Sequence, residues 1–353
     1  MKKDLYDRLQ LLANARGPGI AEALDELAHP DALWRASHPM NEVTGPASAL
    51  AAIYQPLIEA MPDLERRDLV FCGGEYQGRT FIAAMGHYFG TFRAPWFGIP
   101  ANGALTTVRY GEVYEIEDGR IRTATLIWDV LDVIEQVGVS PLAPGYGRNV
   151  VWAGPLTGDG LIFEDSDPDL SAASIAQTLE MHETLFAYDN KVPDRDGLMQ
   201  MEQKHHWHPK MLWFGPAGIG STRGLSGFVD HHQLPFREAF RRPTGTPADV
   251  AAVRDAFNAH HFIRIGDGKY SVTGGWPSFV ATHYGGNFCG MPATGRDITM
   301  RVMDFYHHHE GLIRENWVPI DMLDVFQQMG LDVLELVRRK TNRLTRVEGA
   351  VAA

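Results

Sequence analysis

Helical and strand-like patterns of apolar residues occur in blocks along the chain, and the same order of blocks occurs twice. The segments "DLYDRLQLLANA" and "IAEALDEL", and later "SIAQTLEMHETLFAY", have the apolar spacing of helices. Each block continues into a segment rich in glycine and proline, and then into β-branched and aromatic residues around an Asp-Gly or Glu-Gly turn, which is typical of paired strands. Helices followed by a run of antiparallel strands predict an α+β fold rather than alternating βαβ units.

The second half of the chain also repeats the first half residue by residue. Residues 98–138 and 290–330 align at a constant shift of 192 without a gap, and 16 of the 41 positions are identical. Upstream, a shift of 179 aligns Trp34 with Trp213. A match of this length indicates a tandem duplication. We therefore predict two tandem cone-shaped α+β barrels, each a curved antiparallel sheet wrapped around N-terminal helices.

The boundary between the two copies is predicted from composition. Residues 141–170 are rich in proline, glycine and aspartate and are predicted to form a linker. The first copy then covers residues 1–140, the second covers 171–340, and 341–353 form a tail. A fused duplication predicts an intramolecular pseudo-dimer and leaves further self-association open.

Composition and charge exclude several classes of protein. The chain has 353 residues, of which 44% are hydrophobic, and a net charge of -12. No strong basic cluster accompanies that charge, so nucleic acid is not an expected partner. Two cysteines are too few for a disulfide framework, and no apolar run is long enough to predict a membrane span. We expect a cytoplasmic protein.

Three consecutive histidines, His307 to His309, suggest a metal site at first sight. They directly precede the predicted turn at Glu310-Gly311, and consecutive strand residues point to opposite faces of a sheet. The sequence therefore predicts a solvated hairpin end here.

A second group of histidines lies in "KHHWHP", where His205, His206 and His208 are close together. No Glu-x-x-His spacing accompanies them, so a metal-dependent hydrolase is the weakest of the functional hypotheses. We expect no metal and no cofactor.

The hairpin around Glu310-Gly311 is predicted to carry a polar face. Strand pairing across this turn places the following residues opposite each other on one face: Tyr306 and Glu315, Asp304 and Trp317, Met300 and Asp321. Buried carboxylates cost several kcal/mol unless they are paired, so this mixture suits the wall of a pocket better than an inert core.

Two further segments resemble a known family. "THYGGNFCGMPATGR" (282–296) followed by "EGLIRENWVPIDMLDVFQQMG" (310–330) resembles the signature of SnoaL-like polyketide cyclases, which belong to the nuclear-transport-factor-2-like superfamily. The first copy keeps Asp129 and the glycine and proline framework, but it has Thr123 and Thr125 where the second copy has Glu315 and Trp317. The second copy is therefore expected to hold the active pocket, and the first is expected to be degenerate.

This resemblance implies a function and a set of site residues. It implies a cofactor-independent acid/base enzyme that acts on a small hydrophobic molecule with a carbonyl or ester group. Asp321 matches the position of the family's general acid and base, and His283 and Asp304 are expected to assist it. The expected substrate-binding residues are Tyr306, Trp317, Glu315 and Trp276.

Other interpretations of the same residues remain open. Asp321 begins the helical segment "DMLDVFQQMG", so it is equally a candidate helix N-cap, and Asp129 occupies the same place in the first copy. His283 and the two tryptophans are also compatible with packing roles. The alternative function is a non-catalytic module of the same fold that binds a small ligand or acts as a scaffold.

Overall fold

The chain folds into two units of the same design that pack against each other. The structure is a computed structural model, and it describes residues 1–14, 19–186, 193–243, 255 and 260–351. The two-cone α+β fold predicted from the sequence is confirmed.

The first unit begins with helices and ends with long strands. Its helices are α1 (Lys2–Asn14), α2 (Gly19–Leu27), α3 (Pro46–Ala49), α4 (Gln55–Ala60) and α5 (Val130–Gln136). Its strands are β1 (Ala28–Ala36), β2 (Glu42–Thr44), β3 (Glu65–Tyr76), β4 (Arg79–Thr91), β5 (Leu105–Glu117) and β6 (Arg120–Trp128). A π-helical stretch, Leu50–Tyr54, joins α3 to α4.

The second unit has the same order of elements. Its helices, among the described residues, are α6 (Pro168–Phe186), α7 (Arg195–Gln200), α8 (Gly224–Phe228), α9 (Leu234–Ala239), α10 (Met322–Gln328) and α11 (Val333–Val351). Its strands are β7 (Trp207–Phe214), β8 (Thr222–Arg223), β9 (Phe240–Arg241), β10 (His261–Asp267), β11 (Tyr270–His283), β12 (Asp297–His309) and β13 (Leu312–Trp317). A 3-10 turn at Glu202–His205 and a π-helical stretch at Val229–Gln233 complete it.

The two sheets have matching topology. The strand order is β2-β1-β6-β5-β4-β3 in the first sheet and β10-β11-β12-β13-β7-β8 in the second, where β9 also pairs with β11. The sheets are mixed rather than purely antiparallel, because β1 pairs in parallel with β6 and β7 pairs in parallel with β13. In each unit a long segment that includes helices connects the first strand to the last one. A connection of that length allows the two strands to pair in parallel.

The predicted hairpin turns are present in both units. Asp118 and Gly119 have φ values of 50° and 74°, and Glu310 and Gly311 have 54° and 75°. Two successive residues in the left-handed region form the tight turn that matches the twist of paired strands. Glycine adopts this conformation without steric cost, which explains its place in both turns.

Side chains alternate between two apolar layers. One face of each sheet closes around its helices to form the core of a cone, and the other face packs against the sheet of the other unit. The sheets approach closely at Gly111, where a Cβ atom would lie 2.5 Å from Pro319 Cγ. We call the two sides of each sheet the inner face and the outer face.

The segment between the units lies along the first sheet. Gly160 accepts a hydrogen bond from the Phe71 backbone N–H at 2.8 Å, and Phe71 accepts one from Ile162 at 2.8 Å. These contacts cover the free edge of β3. Within the described part of the chain, no helix is both long and apolar enough to cross a membrane.

Candidate functional site

In the hairpin formed by β12 and β13, the pairing of residues agrees with the prediction near the turn and is shifted by one residue further from it. His308 pairs with Ile313, as predicted, but His307 pairs with Glu315 and Tyr306 pairs with Asn316. Arg314 is the extra residue of a β-bulge, and a shift of one residue moves each later side chain to the other face of a strand. The prediction that Asp304, Tyr306, Glu315, Trp317 and Asp321 share one face is therefore wrong.

Asp304 and Tyr306 remain together on the inner face of the second cone. Asp304 is half-buried at this position. Its carboxylate accepts a long hydrogen bond from Asn316 Nδ2 at 3.4 Å and also lies within hydrogen-bonding range of the Tyr306 hydroxyl, and no cation faces it in the described parts of the chain. Burial raises the pKa of Asp304 to about 6.

Tyr306 lies between Asp304 and a helix that passes over the sheet. Its hydroxyl is 2.8 Å from Nε2 of His182, which belongs to α6. The hydroxyl is also near enough to the Asp304 carboxylate for each group to shift the pKa of the other. Burial lowers the pKa of His182 to about 4, and Arg264 adds to this effect. The imidazole is therefore neutral at pH 7 and carries a single N–H.

The corresponding carboxylate in the first cone has a different environment. Glu112 aligns with Asp304 and is completely buried. Its carboxylate accepts hydrogen bonds from four donors: Arg66 at 2.5 Å, Tyr114 at 2.5 Å, Trp128 at 2.8 Å and Tyr88 at 3.1 Å. Arg66 also pairs with Asp68 at 2.7 Å. This polar cluster fills the interior of the first cone.

Two substitutions at aligned positions account for part of the difference between the cones, in addition to the lack, among the described residues, of a counterpart of Arg66 beside Asp304. Tyr88 and Phe279 correspond, because they pair with residues 108 and 300, and Trp128 corresponds to Ile320. Each change replaces a hydrogen-bond donor with a purely apolar side chain. The second cone therefore leaves its buried carboxylate with fewer hydrogen-bond donors than the first, and this disfavours the charged form.

Asp321 lies on the outer side of the sheet, away from Asp304. It is the N-cap of α10 and accepts the Asp324 backbone N–H at 3.3 Å. It also accepts hydrogen bonds from Arg301 at 3.0 Å and from the His38 backbone N–H at 2.9 Å. Burial and Asp324 raise its pKa to about 7, while Arg301 and the backbone donors oppose this shift. These contacts are those expected of a helix cap and of a contact between the units.

Asp129 makes the same set of contacts in the first unit. It caps α5 through the Asp132 N–H at 3.1 Å and pairs with Arg109 at 2.6 Å. It also accepts the Ala217 backbone N–H at 2.9 Å, and Ala217 aligns with His38. Each aspartate thus binds a loop of the other unit.

Two residues of the predicted pocket wall, Glu315 and Trp317, lie between the sheets. Trp317 stacks on Phe214 with ring centroids 5.6 Å apart, and its Nε1 donates to Ala153 O at 2.9 Å. Glu315 accepts a hydrogen bond from His307 Nδ1 at 2.5 Å. Both side chains are on the outer face because of the bulge.

Trp276 also lies at the contact between the units. The Arg301 guanidinium lies 4.5 Å from the centre of its ring, and its Nε1 donates to Glu42 Oε1 of the first unit at 3.1 Å. It therefore does not approach Asp304 or Tyr306 from the inner face of the second cone.

The expectation of a solvated hairpin end at His307 to His309 is wrong. His307 and His308 are buried, because the segment that joins the units covers one and α6 covers the other. His307 Nε2 is 3.3 Å from the Thr157 hydroxyl, so Thr157, His307 and Glu315 are arranged like a nucleophile, base and acid. The Thr157 hydroxyl donates its proton to Asp159, however, so this proton is not directed at the His307 imidazole.

The remaining histidines of interest are not near Asp304. His283 follows Thr282, which pairs with Asp297, whereas Thr273 pairs with Asp304. His283 therefore lies opposite Arg296, eight residues from Asp304, which at about 3.3 Å per residue is roughly 26 Å along the strand. The structure therefore does not bring His283 to Asp304.

The "KHHWHP" segment shows no convergence of its histidines. His205 is near Glu202 at 3.7 Å, whereas His208 is near Glu310 at 3.3 Å. Among the residues that the structure describes, no three potential ligands of His, Cys, Asp or Glu type are grouped around one point.

Sequence reasoning missed two residues of this site, His182 and Asn316. Asn316 reaches the inner face only through the bulge at Arg314. His182 had a weak signal, since it follows Thr178 by one helical turn on a face of α6 that otherwise packs against the sheet. Polar residues at such positions are candidates for contacts with strand side chains.

The chain matches a family model and is similar to several solved structures. The family described as SnoaL-like polyketide cyclase matches residues 3–137 and 276–329. Similar solved structures include wild-type IdmH from Streptomyces antibioticus, at 20% identity over 39% of this chain and 99% of that one, with a TM-score of 0.31. TsrD from Streptomyces laurentii is 23% identical over 38% of this chain and 93% of that one, also with a TM-score of 0.31.

None of the curated proteins matches the chain. The family match covers more than half of the sequence and includes parts of both units. The chain therefore belongs to the SnoaL-like polyketide cyclase family.

Proposed function

We propose that the second cone is the active site of a cofactor-independent acid/base enzyme, and that Asp304 is its acid and base. The substrate is a small, largely hydrophobic molecule with a carbonyl or ester group. The observation that carries this proposal is the contrast between the two carboxylates. Asp304 has two neutral donors beside it, Asn316 and Tyr306, whereas Glu112 is bound by four donors that include the Arg66 guanidinium.

Proton transfer next to a carbonyl needs a carboxylate with a pKa near the working pH. The pKa of Asp304, at about 6, meets this requirement, because the group is largely ionised at pH 7 and still holds a proton well enough to return it. Asp304 takes a proton from the carbon beside the carbonyl and later returns it to the product. The Tyr306 hydroxyl supplies a hydrogen bond to the negative oxygen that forms in between.

The test is proton exchange at a model ketone. The full-length protein is incubated in D2O with 2-tetralone, and loss of the protons beside the carbonyl is followed by 1H NMR. We expect Asp304→Asn to lower the exchange rate by about 100-fold or more, which is typical for loss of a general base. The matched change in the first cone, Glu112→Gln, should leave the rate within about 3-fold. Equal rates for the wild type and Asp304→Asn would remove Asp304 from the proposal.

The second candidate function is a non-catalytic module that binds a small ligand. The contacts of Asp321 favour this candidate. The aspartate that matches the family's acid and base position here caps a helix and accepts hydrogen bonds from an arginine and a backbone N–H. This candidate predicts that 2-tetralone raises the melting temperature of the protein while no proton of the ketone exchanges.

A further inference from the structure

The Tyr306 hydroxyl has one proton and three polar neighbours: the Asp304 carboxylate, the Thr273 hydroxyl, and Nε2 of His182 at 2.8 Å. Thr273 has a hydroxyl proton of its own to donate, so the carboxylate and the imidazole are the two acceptors that compete for the Tyr306 proton. The direction of this proton decides whether Tyr306 can donate a hydrogen bond into the cone or is held by the helix.

An ionised carboxylate is a stronger acceptor than a neutral imidazole. The first cone shows which acceptor a tyrosine binds at this position. Tyr114 aligns with Tyr306 and donates its proton to the Glu112 carboxylate at 2.5 Å. If Tyr306 does the same, its oxygen is left with a lone pair that faces His182. The contact of 2.8 Å is then a hydrogen bond donated by His182 Nε2–H to the Tyr306 oxygen.

The geometry points to His182 as a positioning residue that turns the Tyr306 hydroxyl proton into the cone, towards Asp304 and the substrate oxygen. This inference rests on the proposed function, since it gives Tyr306 its place in that reaction. When Asp304 takes the proton from carbon, the C–H electron pair moves into the new C=C bond and the carbonyl oxygen becomes negative. Once Asp304 is protonated, the Tyr306 hydroxyl turns from Asp304 to that oxygen, donates a hydrogen bond to it and keeps its proton, so His182 is neutral throughout.

The first test reads the imidazole directly and needs no substrate. Protein labelled with 15N in its histidines is studied by NMR at pH 7 as the wild type, as Asp304→Asn and as His308→Gln. His308 is the matched control, because it is buried under the same helix but binds Gln177 and Ser271 instead of Tyr306. We expect the Nε2–H tautomer for His182 in the wild type and in His308→Gln, and a shift towards the Nδ1–H tautomer in Asp304→Asn. The Nδ1–H tautomer in the wild type would overturn the inference.

The second test separates positioning from packing. We expect His182→Phe to lower kcat for proton exchange of 2-tetralone by about 10-fold to 100-fold with KM unchanged, because a hydrogen bond to the reacting oxygen is made mainly in the transition state. His182→Gln keeps an N–H at a similar distance and should recover much of the rate. Equal losses in both variants would overturn the inference.

The two proposals fail in different ways. If the wild type exchanges no proton of the ketone, the proposed function fails, while the tautomer of His182 still decides where the Tyr306 proton points. If exchange occurs and depends on Asp304 but not on His182, only the positioning role is lost.

Discussion

The carboxylate of Asp321 accepts the backbone N–H of His38 at 2.9 Å, and the two residues belong to different units. The aligned pair, Asp129 and Ala217, makes the reciprocal contact at 2.9 Å. Since both aspartates also cap a helix and bind an arginine, one residue in each unit connects a helix, a sheet and the other unit.

We expect Asp321→Asn to lower the free energy of unfolding by about 2 kcal/mol, because an amide has a single acceptor oxygen. It cannot accept from the Asp324 N–H on one side and from Arg301 and the His38 N–H on the other. Urea denaturation measures this change. Asp332→Asn is the matched control, because exposed Asp332 only caps α11, and asparagine caps a helix as well as aspartate does. Equal small losses in both variants would mean that the contact between the units contributes little.

The stability of the protein should depend on pH through Asp304. Its pKa is about 6 in the folded state and near 4 in the unfolded chain, so the folded state binds more protons between these values. Stability therefore falls as the pH rises from about 4 to 6. Asp304→Asn removes this cost and should be more stable than the wild type by about 1 to 3 kcal/mol at pH 8, with little difference at pH 4. Urea denaturation at the two pH values tests the sign.

Phe279→Tyr should restore one of the donors that the second cone lacks. In the first cone the corresponding Tyr88 hydroxyl donates to Glu112 at 3.1 Å. A hydroxyl at position 279 would favour the charged form of Asp304 and lower its pKa by about one unit. When the 2-tetralone exchange rate is measured as a function of pH, the pH at which the rate falls to half on the acid side should decrease by the same amount. Phe279→Leu is the control for the change in packing, and it should leave that midpoint near pH 6.

Arg66→Met should destabilise the first unit strongly. It leaves Glu112 and Asp68 buried without their cation, and breaking a buried ion pair costs about 3 to 5 kcal/mol. Adding Glu112→Gln should recover part of this loss, because one of the uncompensated charges is then gone. A double-mutant cycle by urea denaturation gives the coupling. Additive losses would show that Arg66 and Glu112 do not stabilise each other.

The two-unit organisation could be predicted because the second half of the sequence repeats the first. The hairpin turns could be predicted because they depend on residues close together in the chain. The Asp-Gly and Glu-Gly turns adopt positive φ at the predicted positions. The role of Asp321 as a helix cap could also be predicted, since an aspartate directly before a helical segment commonly caps that helix.

The composition of the pocket wall could not be predicted in the same way. A bulge at Arg314 adds one residue to β13 and exchanges the two faces, so Asn316 replaces Glu315 and Trp317 beside Asp304 and Tyr306. Nothing in the local sequence requires this bulge. His182 comes from a helix more than a hundred residues earlier, and its contact with Tyr306 depends on how α6 packs across the sheet.

The unequal interiors of the two cones have a consequence for how this protein can change over time. In an assembly of identical subunits, one gene encodes every pocket, so a substitution alters all of them at once. Here Tyr88 and Phe279 are separate positions of one chain. A mutation that reshapes the second interior leaves Arg66 and Glu112 in place, so the interior of the second unit can change while the buried ion cluster of the first unit is kept.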